Sequence, residues 1–427
     1  MSAFTRIKNS TFAKGAGAYL FASTLNAAIP FLLLPVLTRY LEPSEYGEVA
    51  VFQVWVALIG AFCGLSVHGA ATRKYYDFDQ PDKQMGEFIS ACLSILLLSS
   101  SFVFLLVLPF SFWISKTIGL SWHWLMIGIP FAFCNFLVQI RLGQWQVRKQ
   151  PKKFGVFQIS MGLGNMMLSL ILVVALTMGV DGRLMGYSGA ILTFGLLAVL
   201  LLKRDGLIKP VIRFDYVKEA LSYGVPLIPH VMGAFLLVTI DRAVISSKLG
   251  LDAAGHYMVA AQLAMVMGIF VESVNKAYVP WLYGKLKDGS QSSKVSVVKF
   301  TYGYGAFLVF CAVLAFLIGG EVLVFLAGDR YQPAALLLGW LILAKCMHGM
   351  YYTATSYIFY SKRTGLIAKI TITTGILNVI MLVLLIDIFG LVGAAWASAL
   401  SMSIQWLVTW LVAAYLVNMP WKLWRLS

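Results

Sequence analysis

Charge is what this chain has least of. Only 12% of its 427 residues are Asp, Glu, Lys or Arg, against 60% that are hydrophobic. Soluble domains carry about 25% charged residues, and a water-facing surface cannot be covered with half that supply. A soluble globular protein is excluded. So is an outer-membrane barrel, because the roughly 10-residue alternating segments such barrels need are missing. Cysteine is scarce too. Cys63, Cys92, Cys134, Cys311 and Cys346 are odd in number, form no CxxC pair and sit in apolar runs, which excludes a disulfide or zinc framework. No GxxxxGK[ST] phosphate loop, HExxH helix or GxSxG elbow occurs. The chain is therefore not expected to be an enzyme, and no catalytic residue, metal or cofactor is expected. Any transport would draw on an ion gradient or on the gradient of the substrate itself.

What is present is a succession of apolar runs of about 20 residues, the length of a membrane-spanning helix. Twelve can be read, from 15–37 and 46–67 to 364–386 and 389–417. The fold class is an all-α polytopic membrane protein with 12 transmembrane helices. The short basic N-terminus (Arg6, Lys8, Lys14) precedes a long apolar run without a cleavage site of signal-peptide type, so that run reads as a retained first helix. Alternating the loops puts "RKQPKK" (148–153), "KRDGLIKPVIR" (203–213) and "KLK" (285–287) on one side. The other side's loops hold only Arg39, Lys116, Arg183, Lys248 and Arg330. The positive-inside rule then places both termini in the cytoplasm. The same topology accounts for the net charge of +15: the basic residues alternate with spans, and a nucleic-acid partner is not expected. The cytoplasmic face would instead favour anionic membrane lipids.

The chain repeats. "TRYLEPSEYGEVAVF" (38–52) and "SSKLGLDAAGHYMVA" (246–260) are related by an offset of 208 residues, pairing Leu41 with Leu249 and Gly47 with Gly255. At an offset of 210, Lys152-Lys153 pairs with Lys362-Arg363 and Gly155 with Gly365. Two six-helix halves follow, 1–205 and 206–427, parallel because each holds an even number of spans. Repeat transporters place substrate between such halves. The first helix of each half carries two prolines, Pro30 and Pro35, then Pro226 and Pro229. A bent first helix is expected in both.

Seven charged residues remain inside the spans: Asp241, Glu272, Arg141, Arg242, Lys276, Lys345 and Lys369. Charges in hydrocarbon are costly and face a cavity or a partner. Asp241 and Arg242 are adjacent, about 100° apart around a helix, so each needs its own partner. Glu272 and Lys276 have the i, i+4 spacing of a helical ion pair. They either neutralise each other, or Lys276 binds an anion while Glu272 exchanges a proton. Lys345, His348, Tyr352 and Ser356 share one face of the tenth span and are expected to line a cavity. Arg141 shares a face with Trp145 and Arg148 near the cytoplasmic end of the fourth span. Lys369 is shallow enough to reach the interface.

Three stretches carry a family resemblance: "LLLPVLTRYLEPSEYGEVAVF" (32–52), "DRAVISSKLGLDAAGHYMVAAQLA" (241–264) with its Asp-Arg doublet, and "LNVIMLVLLIDIFGLVGAAWASALS" (377–401) with Asn378 and the glycine run from Gly390 to Ala395. In this order they resemble polysaccharide flippases of the Wzx type, within the superfamily that also includes drug-extruding antiporters and lipid II flippases. The resemblance implies two six-helix bundles around a central cavity. It also implies alternating-access transfer of a polyprenyl-diphosphate-linked oligosaccharide, such as an O-antigen repeat unit, to the outer leaflet of the bacterial inner (cytoplasmic) membrane. The diphosphate needs buried cations. Substrate-binding candidates are Arg242, Lys276, Lys345 and Arg141, with His348 and Tyr352 beside them. Asp241 and Glu272 are candidates for coupling to H+ or Na+. A polysaccharide polymerase and a chain-length regulator are candidate partners. Two alternatives stay open: a cation-coupled drug antiporter, which would want an acidic cavity, and a non-transporting scaffold of a glycan assembly complex, which would tolerate loss of the buried cations.

Overall fold

The computed structural model describes residues 11–79, 81–361 and 363–421. Arg6, Lys8 and Lys362 lie outside the described residues. No strand occurs among those described. Hydrocarbon offers the backbone no water to bond, and a helix satisfies every amide within its own segment.

The helices run α1 (Thr11–Tyr40), α2 (Pro43–Phe62), α3 (Val67–Lys74), α4 (Pro81–Val107), α5 (Ser111–Ile118), α6 (Trp122–Val147), α7 (Pro151–Leu170) and α8 (Gly179–Arg204). Then follow α9 (Phe214–Gly224), α10 (Ile228–Val238), α11 (Asp241–Leu249), α12 (Leu251–Asp288), α13 (Gln291–Ala327), α14 (Gln332–Tyr360) and α15 (Thr364–Leu416). Among the described residues, ten helices are long and apolar enough to cross a membrane. The chain is an all-α, multi-pass membrane protein. Phe102, Leu105, Leu317 and Phe325 project outward, as positions facing lipid do.

Local sequence explains the breaks. Pro151 opens α7 at a position where a missing amide hydrogen costs nothing. Ser290 caps α13, its Oγ accepting from the Ser293 amide at 3.2 Å. α15 consists of two helical arms that meet at Gly390, whose φ of +60° only glycine adopts readily. Three residues on, a Cβ at Gly393 would lie 2.0 Å from the Leu385 carbonyl oxygen. The glycine run of the last hairpin is thus a turn that side chains would block. Pro30 and Pro35 lie within α1. Pro226 sits in a 3-10 turn, Val225–Leu227, ahead of α10, and Pro229 in α10 itself. A further interruption, not expected from the prolines, separates α10 from α11 at Thr239 and Ile240.

By packing, the chain forms two compact units. One comprises 1–41 and 48–232, the other 42–47 and 233–427. Residues 206–232, which the repeat would assign to the second half, pack with the first unit. Leu207 and Ala220 are buried in its core beside Phe88, Ile140 and Leu202, because α9 runs against α3 and α4. In the second unit α14 is central, packed against α12, α13 and α15.

Candidate functional site

The interruption between α10 and α11 builds a site. The Thr239 and Ile240 amides both donate to Phe235 O, at 2.9 and 3.2 Å. Leu236 O thereby loses the helical donor it would have had. Asn378 Nδ2 of α15 takes its place at 3.0 Å and also reaches Asp241 Oδ1 at 3.4 Å. Asp241, 5% exposed, stands in the first turn of α11, where the helix dipole favours an acid. Its other oxygen accepts from Tyr257 Oη at 2.6 Å and from Ser398 Oγ at 3.1 Å. Three neutral donors from three places in the chain thus hold one carboxylate. They belong to two of the stretches that carry the family resemblance.

A cavity of 300 Å³ opens beside this carboxylate. Asp241, Arg242, Lys345, His348 and Tyr352 line it, with Tyr257 and Ser398. The His348 ring meets the Tyr352 ring edge-on at 4.4 Å. Ala261, Ala264 and Ala344 keep its walls low. No acid bridges Arg242 or Lys345 among the described residues. Two cations facing one carboxylate that is already held by three donors make a lining with spare positive charge.

The other charged candidates lie elsewhere. Lys276 and Glu272 bond each other at 2.7 Å with side chains 44% and 54% exposed, and neither lines this cavity. Such a pair contributes about 0.2–1 kcal/mol. Lys276→Ala is therefore expected to shift the thermal unfolding of the detergent-purified protein by a few degrees at most. A larger shift would show that the pair does more than neutralise itself. Arg141 is sealed in the first unit, 2% exposed. Its guanidinium pairs with Asp205 and lies 4.0 Å over the Trp145 ring. It lines neither this cavity nor the one described next. Asp205, just past the end of α8, answers its charge, so the arginine has no charge to spare for an anion.

A second cavity, 520 Å³, lies within the first unit, and its lining includes Asn26, His68, Asn135, Gln139, Gln158 and Asn165. Beside it Arg183, assigned by topology to a loop, is buried and donates to Asn165 Oδ1 at 2.8 Å and Ser169 Oγ at 2.6 Å.

Residues 12–284 match the family described as "Polysaccharide biosynthesis protein", nearly two thirds of the chain. The chain belongs to this family. Among curated relatives in the comparison, Lsg locus protein 1 of Haemophilus influenzae is 24% identical over 386 residues, covering 86% of this chain and 89% of that protein. The probable low-salt glycan biosynthesis flippase Agl15 of Haloferax volcanii is 23% identical over 392 residues, covering 90% and 79%. Among solved structures, the lipid II flippase MurJ in an inward closed conformation superposes with a TM-score of 0.73 at 15% identity, over 93% of this chain and 87% of that one. The fold is shared with that protein. The resemblance to polysaccharide flippases read from the sequence holds at the level of the family.

For this member of the polysaccharide biosynthesis family, sequence reasoning ranked residues by charge and so named Asp241, Arg242 and Lys345, which line the cavity, together with Lys276, Glu272 and Arg141, which do not. It missed Tyr257 and Ser398, which are ordinary residues for an apolar helix, and the amides of the second cavity, which carry no charge. Asn378 was quoted only as part of a pattern. The one signal that could have promoted it is its position in the middle of an apolar run.

Proposed function

We propose that the protein is a flippase that carries a polyprenyl-diphosphate-linked oligosaccharide from the cytoplasmic to the outer leaflet of a bacterial inner membrane by alternating access. Twelve spans with both termini cytoplasmic, in two parallel halves, form the frame of this proposal. The observation that carries it is the cavity at the broken helix, where Arg242 and Lys345 stand among apolar helices without an ion-pair partner among the described residues. Unpaired cations in a bilayer need an anion, and a diphosphate supplies one while its prenyl tail stays in lipid. A cation-drug antiporter would need the reverse polarity. The names of the curated relatives, a glycan biosynthesis flippase among them, point the same way.

Asp241 is the coupling group in this reading. It is buried, held by Tyr257, Ser398 and Asn378, and shares the cavity with the cations. Uptake of H+ or Na+ would compete for its oxygens and so alter how much positive charge the cavity presents. Ion uptake into proteoliposomes should fall to background in Asp241→Asn; uptake equal to wild type would remove the coupling role.

The function as a whole is tested by surface-glycan display in flippase-deficient bacteria of several glycan backgrounds complemented with this gene. Restored display in at least one background supports flipping. Failure in every background, with the protein present in the membrane, overturns it.

A further inference from the structure

The first unit's cavity has no role in the function proposed above. At 520 Å³ it falls inside the roughly 300–1,000 Å³ range of small-molecule sites. α1, α3, α6, α7 and α8 wall it, and no Asp, Glu, Lys or Arg lines it among the described residues. Six carboxamides do: Asn26, Asn135, Gln139, Gln146, Gln158 and Asn165.

Asn165 is accounted for by Arg183 and Ser169. Gln158 and His68 are not. Gln158 Oε1 and His68 Nδ1 are buried with no hydrogen-bond partner among the described residues. Asn135, half-buried, and Gln139, exposed, make no side-chain hydrogen bond among the described residues. Leaving the buried Gln158 and His68 atoms without partners is costly, and apolar residues of the same shape would serve packing better. Burial also lowers the His68 pKa from its ordinary value. Two glycines keep the polar atoms clear. A Cβ at Gly162 would lie 2.5 Å from Asn26 Oδ1, and one at Gly143 would lie 2.7 Å from Thr72 Oγ1.

The lining selects a ligand class. A metal ion would want carboxylates, an anion would want cations, and a hydrophobic drug would want aliphatic and aromatic walls. A carboxamide offers both a donor and an acceptor, and so does a hydroxyl. Rings bearing many hydroxyls and no charge match a wall of amides of which Asn135, Gln139 and Gln158 Oε1 have no partner among the described residues. We infer that this cavity is a neutral-saccharide subsite, which takes uncharged sugar rings of the carried glycan by hydrogen bonds to Asn135, Gln139 and Gln158. The inference rests on the flippase reading. It goes beyond it by assigning the saccharide a site of its own, apart from the cationic cavity of the second unit.

The experiment pairs transport with binding. Gln158→Leu, Gln139→Leu and Asn135→Leu are compared with wild type for glycan display at matched membrane levels, in a background that wild type restores. The full-length purified proteins are then titrated with the neutral repeat-unit oligosaccharide cleaved from its lipid by mild acid, with thermal unfolding as readout. The expected result is a saturable rise in the unfolding temperature of wild type that the leucine variants lose and Lys345→Met keeps. Display should fall at least tenfold in the leucine variants although, without ligand, they unfold no lower than wild type. Should one leucine variant fold poorly, the other two and the wild-type titration still decide. Wild-type display in all folded leucine variants, or no response of wild-type protein to the oligosaccharide, overturns the subsite and leaves the flippase reading standing. Failure of wild type to restore display in any background removes both.

Discussion

Lys345→Met and Arg242→Met should each reduce glycan display by more than tenfold while leaving the protein at least as stable as wild type. Both cations line one cavity with the single carboxylate of Asp241, and no acid bridges either among the described residues. An unpaired charge among apolar helices destabilises the folded protein, so an apolar residue of similar length should raise the unfolding temperature or leave it unchanged. The anion, in contrast, loses a charge-assisted contact. Removing one partner of a desolvated charge pair costs about 2–5 kcal/mol, and about 1.4 kcal/mol corresponds to a factor of ten. Lys345→Arg keeps the charge and should retain much of the display. Lys276→Ala serves as the internal control, because that lysine is already bonded to Glu272. Display that survives both methionine variants would place the anion elsewhere.

Gly255→Leu should prevent accumulation of folded protein, and Gly47→Ala and Gly255→Ala should each lower its unfolding temperature markedly. A Cβ at Gly255 would lie 1.8 Å from Pro43 O, and one at Gly47 would lie 1.9 Å from Leu251 O. In both cases the obstacle is backbone, so no rotamer relieves it and one helix must move away. Overpacking of this kind costs about 1–3 kcal/mol even where side chains can yield. Moving residues 42–47 would also strain Tyr46, whose hydroxyl donates to Gln262 Oε1 at 3.2 Å, and Glu42, which meets Arg330 at 2.8 Å. Gly303→Ala is the control. Nothing lies within 4 Å of a Cβ there, and alanine within a helix should be neutral or stabilising by about 0.5–1 kcal/mol. Thermal unfolding of the purified variants decides; a Gly255→Leu protein as stable as wild type would mean that this close approach is not maintained.

Gly47 and Gly255 also show how far the sequence could be read. Their equivalence was visible as an offset of 208 residues, and it suggested only that two helix starts look alike. In the structure the two equivalent glycines touch. A repeat in sequence reports that two segments have the same local structure, and small residues permit close helix approach. Neither says that these two short segments pack against each other. The Asp241–Arg242 doublet is a similar case. Its position inside an apolar run required each residue to face a cavity or a partner, and both residues line one cavity. The helix break beneath it, and the part Asn378 plays in satisfying that break, depend on backbone bonds that no apolar run discloses.

The sequence by itself determined the class of protein: membrane-spanning helices, no enzymatic motif, and a small set of buried charges worth attention. These are local properties. Hydropathy over about 20 residues fixes what can cross hydrocarbon, and the cost of a buried charge does not depend on knowing its partner. Only the tertiary structure decided which of these charges are paired and which share a cavity. Arg141 meets Asp205 64 positions along the chain, and Asp241 meets Asn378 137 positions along. Lys345 and Arg242, far apart in sequence, come to share one cavity. Those outcomes follow from how helices pack, and packing is settled by contacts distant in the chain, where hydropathy and spacing carry no information.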